Sequence, residues 1–141
     1  MIPIFRKFKE ENFEIIIVDP RGYFASKERF PDTKIINKWP NEAFDEIETN
    51  SKTAMVTLTH DPKIDDPALL VALNNPLFSI SCLGSKKTHA SRKARLHKHG
   101  ISEEQLSKIN GPAGLDINAK NPAEIAVSIM AELIKDWRSE T

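Results

Sequence analysis

Four short runs of apolar residues set the terms for this chain: FEIIIVDP at 13–20, TKIIN at 33–37, TAMVTLT at 53–59 and LFSISCLG at 77–84. Each is continuous rather than alternating and rich in β-branched side chains, as suits strands covered on both faces. Between them the period changes. Residues 3–11, 41–49, 66–75 and 86–99 fit helices, with Pro67 in a first turn behind Asp66 and Gly100 just past an end. In the last helix Asn121 caps, Pro122 takes the first position, Glu124 stands where a capping box needs it, and Ile125, Ile129, Leu133 and Trp137 share one face. Buried strands alternating with helices predict a three-layer α/β fold around a parallel sheet. At 141 residues without repeats or a linker, one domain over 1–141 is the expectation.

Composition narrows the class further. Hydrophobic residues at 40% and charged residues at 28% are those of a soluble globular protein. No apolar run approaches a membrane span and MIPIFRKFKEEN lacks the apolar core of a signal peptide, so the cytoplasm is expected, with no membrane partner. Cys82, the lone cysteine, leaves no internal disulfide and reads as strand packing. Charges balance at 20 against 20, yet Lys86, Lys87, Arg92, Lys93, Arg95 and Lys98 follow one another with no acidic residue between them. One basic helix without interleaved aromatics, on a neutral protein, gives little surface for tracking phosphates, so nucleic acid is not the expected partner.

In parallel α/β sheets ligands collect outside the carboxyl ends of the strands. The residues there are Asp19, Pro20 and Arg21; Thr59, His60 and Asp61; and Gly84, Ser85 and Lys86. Asp19 suits a ribose hydroxyl in a dinucleotide site, or equally a turn before proline. Gly84 and Ser85 open a basic helix, where free N–H groups, the helix dipole, Lys86, Lys87 and Arg92 could hold an anion; the alternative is a helix cap beside a solvated face. NGPAGLDIN at 110–118 brings Asp116 to the same rim, or simply returns the chain to the sheet. Tyr23, Arg29 and Phe30 could form a flap, with Arg29 suited to a stacked anionic ligand. His89, His97 and His99 lack the spacing of a metal site, and no nucleophile with an adjacent base can be read, so no independent catalytic centre is expected.

Three blocks now stand out: AMVTLTHDPKIDDPALLVAL, SCLGSKKTHASRKARLHKHGIS and INGPAGLDINAKNPAEIAVSIMAELI, with VDPRGYFASKERFP upstream. In this order they resemble the XdhC/CoxI family, the xanthine dehydrogenase accessory proteins, over residues 13–137. The resemblance implies a Rossmann-like domain that binds molybdenum cofactor, or molybdopterin. Its members act as chaperones that hold the pterin while a cysteine desulfurase supplies sulfur, and that aid its delivery into xanthine dehydrogenase-type molybdoenzymes. With the strand-end reading above, the expected cofactor-binding residues are Asp19, Arg21, Arg29, Thr59, His60, Gly84, Ser85, Lys86, Lys87, Arg92 and Asp116. An NAD(P)-binding oxidoreductase or its degenerate remnant is the alternative, supported by Asp19 and opposed by the absent glycine-rich fingerprint.

The chain departs from that family at its start. The usual first strand and its glycine-rich turn are missing, because IPIFRKFKEENFEIIIVDPR begins where that turn ends. A Rossmann-like sheet without strand 1 would leave a gap with two rows of unpaired backbone groups, closed either by its flanking strands or by a second copy. A homodimer with residues 2–18 at the interface is the resulting expectation.

Overall fold

The computed structural model describes residues 1–7 and 13–139. Its sheet comprises β1 (Ile2–Lys7), β2 (Phe13–Val18), β3 (Lys34–Ile36), β4 (Thr53–Thr57), β5 (Ser79–Cys82) and β6 (Ile109–Asn110). They lie in the order β3-β2-β1-β4-β5-β6. The pairs β2–β3, β4–β5 and β5–β6 are parallel, as the apolar runs predict. The sheet as a whole is mixed, because β1 runs antiparallel to both of its neighbours.

That strand corrects the expected helix over 3–11, of which residues 8–11 lie outside the described part. Ile2 and Ile4 are buried on one face and Phe5 on the other, a period of two that a free helix could not have satisfied. Ile4 faces Ile16 of β2 and Met55 of β4, and Phe5 faces Ile15 and Ala54. Its direction follows from chain length. Only residues 8–12 separate β1 from β2, far short of the dozen or so that a parallel crossover needs. The gap expected between β2 and β4 is thus filled within one chain, by β1, which runs opposite to both. With it goes the reason for a second copy at residues 2–18.

The helices start where the local chemistry permits. In α1 (Pro40–Ala43) one turn forms, and the rest of the expected 41–49 helix continues as tighter turns, with Glu46 N–H bonded to the Ala43 carbonyl and Ile47 N–H to that of Phe44. The next helix, α2 (Pro62–Leu73), begins one Asp-Pro pair earlier than expected: Asp61 accepts from Lys63 N–H at 3.0 Å, and Pro67 falls inside the helix. Both pairs carry the same start signal, and the one next to the strand prevails. The basic segment forms α3 (Lys86–Lys98), capped by Ser85, with Gly100 beyond it at φ 89°. A short α4 (Glu103–Leu106), with a Ser102–Gln105 capping box, leads into β6. In α5 (Pro122–Ser139) Asn121 accepts from Glu124 N–H at 2.9 Å, as expected of the cap.

Two apolar layers flank the sheet. Ile4, Ile16, Val18, Met55, Ile80 and Cys82 point toward α1, α2 and α3, where Ile64, Leu69 and Leu96 meet them. Phe5, Ala54, Val56 and Phe78 point the other way, under Ile125, Ile129, Leu133 and Trp137 of α5. Trp137 meets Phe78 edge to face, ring centroids 5.1 Å apart. The result is a Rossmann-like three-layer α/β domain whose ligand rim lies where β2, β4 and β5 end together.

Candidate functional site

At the end of β2 the carboxylate of Asp19 is fully buried. It accepts from Arg21 three times, from the backbone N–H at 2.8 Å, Nε at 3.0 Å and Nη2 at 2.9 Å. The Met1 amino group lies 2.9 Å from Oδ2, and the Met1 carbonyl accepts from Leu58 N–H, so the start of β1 occupies the middle of the rim. Burial alone would raise the Asp19 pKa, but the side-chain and backbone hydrogen bonds of Arg21, together with the hydrogen bond and charge of the Met1 amine, outweigh it and hold the carboxyl below its ordinary value. Both carboxylate oxygens are therefore engaged by the protein itself. Arg21 also stacks over Phe24, 4.3 Å from the ring centroid. Arg29 belongs to the same loop: Nη1 donates to the Phe24 carbonyl at 2.5 Å and its guanidinium lies 5.3 Å from the Phe30 centroid.

After β4 the chain turns sharply. Thr59 Oγ1 accepts from Asp61 N–H at 2.9 Å and donates to Asp65 Oδ1 at 2.7 Å, while His60 takes the left-handed conformation at φ 62° and is exposed. Asp65 is buried, and that burial raises its pKa against the opposing hydrogen bond from Thr59. After β5, Gly84 has φ 145°, and a Cβ there would stand 3.2 Å from Thr88 Cγ2. Glycine is thus required by the turn's own backbone and packing, whatever the turn holds. Ser85 Oγ accepts from Thr88 N–H at 3.0 Å, while Lys86 and Lys87 are exposed.

Arg92 is the unexpected member. It is 3% exposed, its Nη2 donating to the Leu83 carbonyl at 3.1 Å and its Nη1 lying 3.1 Å from His89 Nδ1. Burial, then Arg92 and Lys93, lower the His89 pKa, which favours the neutral imidazole, and beside an arginine donor its Nδ1 is the acceptor. Arg92 Nε is buried without a partner.

The predicted residues gather around two hollows and an ion pair. A cleft of about 240 Å³ between the start of α2 and the first turns of α3 is lined by His60, Lys87 and Arg92, with Thr59 behind Asp65. A second hollow of about 410 Å³ lies between Gly84, Lys86 and the 112–119 loop, with Asp116 exposed on its wall. That loop is fixed by hydrogen bonds from Ala113 N–H to the Cys82 carbonyl at 2.8 Å, from Gly114 N–H to Glu132 at 2.8 Å and from Leu115 N–H to the Ser128 carbonyl at 3.1 Å. Asp19 and Arg21 form the ion pair, and Arg29 stays within its own loop. Sequence reasoning missed Asp65, Asp66, Thr88, Ser91 and Arg95, which line or cross the first cleft. The signal was available in the spacing, since 88, 91, 92 and 95 fall on one side of α3.

Among the described residues, no group of three or more His, Cys, Asp or Glu is placed to hold a metal ion, and no helix is long and apolar enough to cross a membrane. Cys82 is fully buried, and burial pushes its thiol pKa up to about 11. At pH 8 such a thiol is roughly a hundredfold less ionised than an ordinary cysteine. Modification of the native protein by a thiol reagent is expected to be slower than that of the urea-unfolded chain by at least this factor. Equal rates would overturn this placement of Cys82.

A rim built from the carboxyl ends of parallel strands, with a glycine turn entering a basic helix, defines a Rossmann-type α/β domain. The XdhC Rossmann domain matches residues 2–133, and the chain belongs to that family. Over 102 residues it is 33% identical to the molybdenum cofactor insertion chaperone PaoD of Escherichia coli strain K12, covering 72% of this chain and 31% of that protein. It is 29% identical over 135 residues to a probable xanthine dehydrogenase component of Bacillus subtilis strain 168, covering 95% of this chain and 39% of that one. A crystal structure of a xanthine dehydrogenase from Bacillus halodurans superposes with a TM-score of 0.73 at 31% identity, over 89% of this chain and 36% of the other. The chain therefore spans about a third of the length of these relatives.

Proposed function

We propose that this protein is a molybdenum-cofactor-binding accessory protein that serves molybdoenzymes of the xanthine dehydrogenase type, in the cytoplasm, without a catalytic centre of its own. The observation that carries this reading is the kinship with a chaperone of molybdenum cofactor insertion over 102 residues, in a chain whose family match spans residues 2–133. The cofactor is cargo here: the protein holds it while a cysteine desulfurase supplies sulfur, and then releases it to the enzyme. The geometry is compatible in size and chemistry. The hollow of about 410 Å³ beside Gly84 falls within the roughly 300–1,000 Å³ of pockets that enclose small ligands. Leu83 and Ile125 give it apolar wall, Asp116 and Lys86 polar edges, and the tethered 112–119 loop a fixed shape. A buried, weakly acidic Cys82 supports a holding role over one in which the chain relays sulfur itself.

The dinucleotide alternative rested on Asp19 accepting a ribose hydroxyl. Its two oxygens are already taken by Arg21 and the Met1 amine, and β1 begins where the phosphate turn of such a site would lie. Titration of the purified protein with molybdopterin, NAD and a DNA oligomer in parallel tests the reading. Saturable binding of molybdopterin alone is expected. Binding of NAD with indifference to molybdopterin would replace this reading with the alternative.

A further inference from the structure

The cleft between α2 and α3 contains a buried cation that makes no direct ion pair: the buried Asp65 carboxylate attracts it only through space, without a hydrogen bond. Arg92 bonds only to neutral groups, the Leu83 carbonyl and the His89 imidazole, and no carboxylate pairs with it among the described residues. Its Nε is buried and lacks any acceptor. An unpaired buried charge and an unsatisfied buried donor both carry a free-energy cost, so the position calls for an anionic acceptor. Arg95, by contrast, holds Asp66 at 2.8 and 3.3 Å, and these two cancel. Lys87 and Arg92 then stand against Asp65 alone, whose Oδ1 is bound to Thr59. The hydroxyls of Thr88 and Ser91 line the same wall, which runs along the side of α3 from Lys87 to Arg95 and faces the first turns of α2.

We propose that this cleft is an oxyanion site that takes a phosphate group, with Arg92 at its base, Lys87 at its mouth and Thr88 and Ser91 as hydroxyl donors. At about 240 Å³ it holds a phosphate and its nearest waters, and is too small for a pterin or a nucleotide. Its ligand is thus either free phosphate or the phosphate of a larger molecule whose body lies outside the cleft. The second source rests on the cofactor reading above; the first does not. In either case the anion adds a countercharge beside the buried Arg92 guanidinium, and affinity comes from this attraction together with hydrogen bonds from Lys87, Thr88 and Ser91.

Calorimetric titration with inorganic phosphate, against chloride at matched ionic strength, reads the cleft without the cofactor. Saturable binding is expected, with a phosphate-dependent rise in Tm. Lys87→Glu, an exposed change that the fold tolerates, should weaken phosphate binding by roughly tenfold or more while leaving Tm in phosphate-free buffer unchanged. Lys135→Glu, exposed on α5, should bind phosphate as the parent does. Arg92→Met should lose binding altogether; if it fails to fold, Ser91→Glu takes its place as a second exposed variant that fills the cleft with negative charge. Absence of saturable phosphate binding, or equal affinity in the parent and in Lys87→Glu, overturns the site. A parallel molybdopterin titration separates the sources: weakening of both ligands by Lys87→Glu assigns the cleft to the cargo's phosphate, and weakening of inorganic phosphate alone assigns it to free phosphate. Molybdopterin binding without phosphate binding sinks the cleft and leaves the proposed function standing.

Discussion

Ile4→Asp is expected to prevent folding, an outcome that no outer amino-terminal helix would produce. Ile4 is fully buried in β1, between Ile16 and Met55, which are themselves fully buried. Aspartate there loses the Ile4 side chain's contribution of about 1.5–3 kcal/mol and adds the burial of a carboxyl with no partner, several kcal/mol more. The sum rivals the roughly 5–15 kcal/mol that stabilises an ordinary domain. Ile4→Val, which keeps the strand and removes one methyl group, should cost only about 0.5–1.5 kcal/mol. Arg6→Ala, on the same strand but part-exposed and paired with Glu14, should cost about 1 kcal/mol or less. Circular dichroism and thermal melts of the three variants test the series. A folded Ile4→Asp protein with near-parental Tm would show that β1 is not the sheet's centre.

This strand marks the limit of what the sequence revealed. The runs at 13–20, 33–37, 53–59 and 77–84 were legible because strands buried on both faces are apolar throughout, and the α5 cap was legible because Asn121-Pro122 and Glu124 satisfy known end groups. IPIFRK reads ambiguously: it is short, runs into a charged stretch and sits where the resemblance supplies no strand. What decided its structure was a vacancy between two other strands, and a vacancy has no local signature. The same holds for α2, where two Asp-Pro pairs compete and proximity to β4 settles the start.

The site was legible in its address and not in its partition. That strand ends would gather Asp19, Thr59, Gly84 and their neighbours follows from topology alone. Which of them face a hollow depends on partners distant in sequence. Asp19 is consumed by Arg21, only two residues away, and Arg92 is drawn inward because the Leu83 carbonyl and His89 need a donor there. Basic residues in α3 looked equivalent in sequence, yet Arg92 is buried, Arg95 is paired with Asp66, and Lys86 and Lys87 remain exposed. Burial of a helix face distinguishes them, and a helix with so few apolar residues gives little sign of which face that is.

Asp19→Asn should cost about 3 kcal/mol at neutral pH, toward the lower end for a broken buried pair because Arg21 can turn partly to solvent. Asparagine retains the shape but offers one acceptor in place of two, and aims an N–H₂ group at either the guanidinium or the Met1 amine. The pH dependence has a definite sign. Because the folded Asp19 pKa is lowered below its ordinary value near 3.9, the unfolded chain binds the proton more readily. The stabilisation is then present in full above about pH 4–5 and is lost as pH falls through the lower folded-state pKa. Urea denaturation of both proteins from pH 7 to pH 3 should therefore show a gap in stability that is constant at the upper end and narrows below about pH 4, since Asp19→Asn has no carboxylate to protonate. A gap that stays constant to pH 3 would mean that shape rather than charge holds the rim together. If instead Asp19→Asn keeps full stability and loses molybdopterin binding, the carboxylate serves the cargo and its pairing with Arg21 is only the resting arrangement.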